Sequence, residues 1–431
     1  MNFINNEKKD SQWILRKAGF IILALFFLIV FESKPLMNLL ASLALLLSFF
    51  YIGFYDRKFL QSNPYLLLFI VPYVVGFLLG FLSESGVTGA LAFLLRFKFM
   101  LLVIPLAVFI KERKDLHILF IMFFASASIA IAYGIYTGQP YGGFKGFHKI
   151  GRTSDMMIVV CLTALTFLML GRFSSNIKPL LLKVLMMFIV VFSTWAVMMS
   201  EIRGAWLGLT IGSVLFLLLL LMFQRKLIAL NLSILSLCVV SVIYLSDIGG
   251  IKSNINRINN QIESIVETNN NESNESRIDL WKAGWDFSKE HFVFGTGAKQ
   301  SEAMFITFFY EQTPEYQKDH RFAINYPGEY HNSYMQIHVE TGIIFLIIFL
   351  SSIGYLLLML LKNINKIPFE DQKYLIATIV TSVAFMCAQV FHSDLYHYGS
   401  TIFYLLLFSG CYILNQNNPS IWFHKGRKNA T

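Results

Sequence analysis

Hydrophobic residues in this chain fall in long unbroken runs, not in the alternating or one-in-three-or-four patterns of soluble strands and helices. Crossing a hydrocarbon core of roughly 30 Å takes about 20 residues of helix. Runs of that kind lie near residues 13–31, 35–55, 64–82, 87–110, 115–137 and 153–170. Six more lie near 179–199, 205–223, 227–246, 338–361, 373–392 and 400–415. Lipid offers the backbone no hydrogen-bond partners, so each run is expected to be a helix. The pattern predicts an all-α integral membrane protein of about twelve transmembrane helices.

One polar stretch is much longer than the others, and it divides the chain into helices over 1–246, a hydrophilic loop domain over 247–337, and helices with a short tail over 338–431. Within the loop domain, Asn269 to Ser276 is a low-complexity Asn, Glu and Ser tract that reads as a flexible surface link. Beyond it, Ser276 is placed to cap a helix in which Ile278, Trp281 and Trp285 recur at helical spacing. That pattern predicts an amphipathic helix lying on the membrane boundary, with its tryptophans at headgroup depth.

Charge orients the helices. Basic residues gather in alternate loops: Lys8, Lys9, Arg16 and Lys17 at the start, then Arg57 and Lys58, Lys111, Arg113 and Lys114, Arg172 and Lys178, Arg225 and Lys226. The series continues with Lys362, Lys366 and Lys373, and ends with Lys425, Arg427 and Lys428. The opposite short loops hold only Lys34, Lys145, Lys149, Arg152 and Arg203. By the positive-inside rule both termini are cytoplasmic and the loop domain lies outside. The first apolar run lacks a small-residue cleavage signature and is expected to be a retained helix.

Composition agrees: 56% of the 431 residues are hydrophobic and 14% charged, which excludes an ordinary soluble domain. The net charge of +9 reads as topology, not as nucleic-acid binding, because the charges sit between apolar runs. Cys161, Cys238, Cys387 and Cys411 all lie inside such runs, where no oxidising aqueous loop would pair them.

Candidate chemistry is confined to few residues. Arg203 stands between two spans at their outer ends, beside Glu201, and reads either as a residue snorkelling to the interface or as a ligand contact; Gly204 and Ala205 leave room for close approach. Arg277 opens the amphipathic segment, where it is either solvated or functional. His331 precedes the tenth run, and a neutral imidazole there is suited to accept a proton from a hydroxyl. His392, Asp394 and His397 are metal-ligating types without a closed ligand set at a recognised spacing, so a polar cap is the better reading. Gly142 to His148 reads as a flexible loop whose basic residues could line an anion path. Arg96 and Lys98 lie inside the fourth run, where each costs about 2.5–3.5 kcal/mol to insert and must face protein, water or lipid phosphate.

Three short stretches resemble the O-antigen ligase and O-antigen polymerase superfamily of bacterial membrane glycosyltransferases: Arg203-Gly204-Ala205-Trp206; Ser276-Arg277-Ile278 with Trp281; and His331-Asn332-Ser333-Tyr334 followed by Glu340-Thr341-Gly342. The layout resembles that family too, with one large periplasmic loop between the ninth and tenth spans, a GT-C-like arrangement. The resemblance implies an O-antigen ligase in the bacterial inner membrane, with its active site periplasmic. It implies transfer of glycan from undecaprenyl pyrophosphate to the lipid A core by an inverting, metal-independent displacement. It makes Arg203 and Arg277 the pyrophosphate contacts and His331 the catalytic residue, with Arg152, Asn332 and Asp394 as candidate supporting residues. No cofactor is expected, since the leaving group is built into the lipid and no Gly-rich phosphate loop is present. A polymerase joining lipid-linked repeats is the neighbouring alternative. A transporter or flippase is the more distant one, disfavoured because polar groups gather outside and not at the midplane.

Overall fold

Every regular element among the described residues is a helix. The computed structural model describes residues 2–137, 147, 150–171, 179–200, 202–223, 272–393, 395 and 400–422. Asp394, His397, Glu201, the run at 227–246, most of Gly142 to His148 and the start of the 269–276 tract lie outside them.

The helices are α1 (Asn2–Leu28), α2 (Lys34–Tyr55), α3 (Leu67–Gly80), α4 (Gly86–Arg96), α5 (Lys98–Phe109), α6 (Arg113–Tyr136), α7 (Ile150–Leu170) and α8 (Pro179–Met199). They continue as α9 (Arg203–Phe223), α10 (Glu272–Glu290), α11 (Ser301–Glu311), α12 (Pro314–Asp319), α13 (Ser333–Asn363), α14 (Phe369–Ala388) and α15 (Thr401–Asn417). Seven of these are long and apolar enough to cross a membrane, namely α1, α2, α6, α7, α8, α9 and α13. The others are shorter or, like α14, more polar, so the chain is a multi-spanning membrane protein whose span count of about twelve is neither reached nor overturned. The run at 87–110, expected as one span, is two helices bent by 49°. Tyr73 marks how the bend is held: its hydroxyl donates to the Leu94 carbonyl at 3.1 Å, near the break.

Glycine spacing decides how α9 packs. Gly204, Gly208 and Gly212 repeat every fourth residue and so share one helix face. A Cβ on Gly208 would stand 2.6 Å from the Ala384 carbonyl oxygen of α14, and one on Gly212 would stand 2.4 Å from the Leu162 side chain of α7. Only glycine permits this approach, the small-residue packing expected where lipid gives helices no hydrophobic drive to associate. At the N-terminal end of the same stripe, Gly204 lies against Phe391.

Gly342 breaks α13. Its backbone has φ 76°, open to glycine and costly for other residues, and its Cα abuts the Val293 carbonyl. The carbonyls freed just before it accept from the incoming chain, with Thr296 N–H donating to Val339 O at 2.9 Å and Gly297 N–H to Glu340 O at 3.0 Å. Ile343 N–H returns a bond to Phe292 O at 2.9 Å.

The described part of the hydrophilic segment has its own core of Leu280, Ala283, Phe287, Phe305, Phe308, Phe309, Ala323, Tyr330 and Val339. This corrects two expectations. Ser276 does not cap α10, which already runs from Glu272. The buried face of α10 is Leu280, Ala283 and Phe287, whereas Ile278 and Trp285 are about half exposed, because the aromatics of α11 offer a partner for that face. Trp281 is not simply interfacial: its Nε1 donates to the Tyr330 carbonyl at 2.9 Å.

Candidate active site

His331 sits in a turn clamped from two sides. Its φ of 47° is the left-handed region, a strained choice for a residue with a Cβ, and such strain persists only where neighbours enforce it. From one side Trp281 holds the carbonyl of Tyr330. On the other side Asn332 caps α13, its Oδ1 accepting from the N–H groups of Tyr334 at 2.9 Å and Met335 at 3.1 Å. Ser333 then ties the turn to the end of α14, its N–H donating to the Gln389 carbonyl at 3.0 Å and its hydroxyl to Gln389 Oε1 at 2.9 Å. The candidate supporting residue Asn332 thus acts through the backbone by fixing the turn that presents His331.

Phe391 lies against both Arg277 and the helix turn that begins with Arg203. The Arg277 guanidinium carbon lies 6.0 Å from the centre of the Phe391 ring, while Gly204, next to Arg203, packs on the same residue. Burial pushes Arg277 below its usual pKa, and the nearby charge of Arg203 pushes the same way. Burial likewise pushes the His331 imidazole below the usual histidine value; Glu329 opposes this, while Arg277 and His392 add to it. Arg203, Arg277 and His331, drawn from three separate elements, thus lie close enough for Arg277 to feel the charge of Arg203 and for His331 to feel that of Arg277.

A cavity of about 520 Å³ opens beside His331. His331 lines it, as do Arg152, Glu302, Glu329 and His392, but Arg203 and Arg277 are not among its lining residues. The cavity lining thus takes in His331 and neither of the two arginines. Arg152, expected in a loop, lies in the first turn of α7, which begins at Ile150. Asp394 falls outside the described residues.

Two features were missed in the sequence. Arg96 Nη2 makes a 2.8 Å ion pair with Glu340 Oε1, their side chains 13% and 2% exposed, so the arginine at the break of α4 and α5 is matched by an acid at the break of α13. Asp155, in α7 and 1% exposed, has both carboxylate oxygens 2.8 Å from Nδ1 of His392. Gln389 Nε2 donates to the same carboxylate at 2.8 Å. The available signal was an acid just inside an apolar run, since an ionisable residue at membrane depth is a functional candidate until its partner is known.

The architecture and site define a multi-spanning helical membrane protein with a polar cavity and a guanidinium pair beside an imidazole. Residues 188–350 match the family described as O-antigen ligase, a stretch that includes Arg203, Arg277, His331 and Glu340. Over that stretch, somewhat under half of its length, the chain is similar to the O-antigen ligase family. A protein of Haemophilus influenzae (strain KW20 / Rd), described as an uncharacterized protein, is 29% identical over 213 residues, covering 48% of this chain and 50% of the relative. The chain thus spans about half the length of that relative.

Proposed function

We propose that the protein is an O-antigen ligase of the bacterial inner membrane. It takes a glycan from undecaprenyl pyrophosphate and attaches it to the lipid A core at the periplasmic face, with both chain termini cytoplasmic. Supporting the reading above all are Arg203, Arg277 and His331, contributed by three elements, with Arg277 in the field of Arg203 and His331 in that of Arg277.

In this reading Arg203 and Arg277 hold the donor's pyrophosphate. Charge-assisted hydrogen bonds contribute roughly 1.5–3 kcal/mol each, and they strengthen as negative charge builds on the leaving oxygen. His331, neutral because burial and Arg277 disfavour its charge, takes the proton of the acceptor hydroxyl. The acceptor oxygen bonds to the anomeric carbon, the carbon–oxygen bond to pyrophosphate breaks, and its electron pair leaves with the pyrophosphate. One displacement inverts the carbon and needs no cofactor. Asn332 holds the turn of His331, and Arg152 lines the adjoining cavity.

The test is transfer in proteoliposomes holding the full chain, undecaprenyl-pyrophosphate-linked glycan and lipid A core. Glycan attached to the core supports the ligase. If lipid-linked repeats lengthen while the core stays bare, the polymerase reading replaces it. Undecaprenyl-linked glycan crossing the bilayer without any new glycosidic bond would move the protein to the flippase class.

A further inference from the structure

We infer that Gln336 is a positioning residue: its carboxamide fixes the backbone of the turn that presents His331, and so aims the base. The role rests on the glycosyl-transfer reading and is exerted through His331, not on a substrate.

Gln336 lies in the first turn of α13 and is 2% exposed. A carboxamide carries an acceptor on one atom and two donors on the other, and here both ends are spent on the residues just ahead of His331. Its Oε1 accepts from the Tyr330 N–H at 3.3 Å, and its Nε2 donates to the Gly328 carbonyl at 2.7 Å. Glu340 decides which way the amide faces. A carboxylate that takes Arg96 Nη2 at 2.8 Å can only accept, so the amide group of Gln336 must turn its donors there, and Nε2 reaches Glu340 Oε1 at 2.8 Å. The carbonyl end is thereby left for Tyr330. Turned the other way, the amide would set oxygen against carboxylate and N–H against N–H.

The turn needs this grip because its conformation is costly. Gly328 has φ 70° and His331 φ 47°, so a short stretch enters the left-handed region twice. Glycine tolerates that; a histidine keeps it only while its neighbours enforce it. The two hydrogen bonds of Gln336 fall on Gly328 and Tyr330, the first left-handed residue and the one before the second. The turn also has little room to drift, since a Cβ on Gly328 would stand 2.6 Å from the Glu302 nitrogen of α11, and Trp281 holds the Tyr330 carbonyl at 2.9 Å. Loss of the amide therefore lets His331 relax and moves the imidazole. A Gln336 that only filled space could be exchanged for leucine without moving it.

The test removes the amide and follows His331 directly. Gln336→Leu keeps the size of the side chain and removes its hydrogen bonds; Gln336→Asn keeps an amide one methylene short and keeps the result readable if the leucine variant does not fold. The detergent-solubilised full chain is treated with diethyl pyrocarbonate, which acylates accessible neutral imidazoles, and modification of His331 is read by peptide mass spectrometry against His320 of the same domain. His331 is expected to react several-fold faster in the folded variants while His320 keeps its rate. In the proteoliposome transfer assay kcat is expected to fall about 10²-fold with both KM values held, the cost of displacing a reacting group by about an ångström. An unchanged or slower His331 rate, a kcat equal to that of the wild type, or a loss carried by KM alone overturns the positioning role. The modification assay needs no substrate. If the variants expose His331 but the wild type transfers no glycan, the glycosyl-transfer reading falls and the hold of Gln336 on the turn stands.

Discussion

Two arginines of the molecule sit in different electrostatic settings. Arg96 is nearly enclosed and faces Glu340 at 2.8 Å, closing the break between α4 and α5 onto the break in α13. Arg277 is half-buried, lies over Phe391, and has no carboxylate partner among the described residues; its nearest named charge is another arginine. A buried cation with its anion in place acts as structure. In the proposed function, Arg277 together with Arg203 is instead arranged for an anion that arrives with the donor. Identical side chains therefore divide into a fastener and a receptor.

The comparison can be broken most severely at the receptor. Replacing Arg203, Arg277 or His331 by Ala should abolish glycan transfer while the protein stays in the membrane at normal abundance; for His331 the loss should be about 10²- to 10⁴-fold. Transfer by all three variants at the wild-type rate would remove the site. At the fastener the effect should be on stability. Arg96→Ala leaves the Glu340 carboxylate buried alone and should cost about 3–5 kcal/mol, read as loss of folded protein in a detergent melt. The double change Arg96→Met with Glu340→Met should recover most of it. A double variant no more stable than the single one would argue that the pair does more than close the break.

The next effect in size concerns the glycine stripe that carries Arg203. Gly208→Leu forces α9 from α14 and should lower stability by roughly 1–3 kcal/mol while also reducing transfer, since Arg203 moves with the helix end. Normal transfer in this variant would uncouple the stripe from the site. The smallest effect is on pH. Glu329 raises the His331 pKa against the lowering effect of burial, so Glu329→Gln should drop it further. A base must be unprotonated to act, so the acid limb of kcat/KM should move to lower pH; a shift upward would reverse the assignment.

The membrane helices were legible because a bilayer demands long apolar runs, and that demand is written locally. The resemblance across Arg203, Arg277 and His331 was legible for a related reason: each arginine or histidine is conspicuous at an outer helix end or loop. Asp155 was not, because a single acid at the edge of an apolar run gives no hint that His392, far along the chain, will meet it. Nor did the spacing of Ile278, Trp281 and Trp285 reveal that α10 would turn Leu280, Ala283 and Phe287 inward, since the choice depended on aromatics in α11. Local pattern sets which segments are helices, whereas long-range pairing decides which face is used and which charge is neutralised.

The bracket between the first and last thirds of the chain bears on biogenesis. Ser85 bonds to the Thr296 carbonyl, Glu84 to Gly295, and Arg96 to Glu340, so the segment around α4 is finished only after α13 has been synthesised. A ribosome delivers the arginine well before its counterion, and until then the nascent helix has reason to remain beside the insertion machinery, where water can reach it. Truncations that stop short of Glu340 would therefore strand a charge in the bilayer and mark the fragment for degradation.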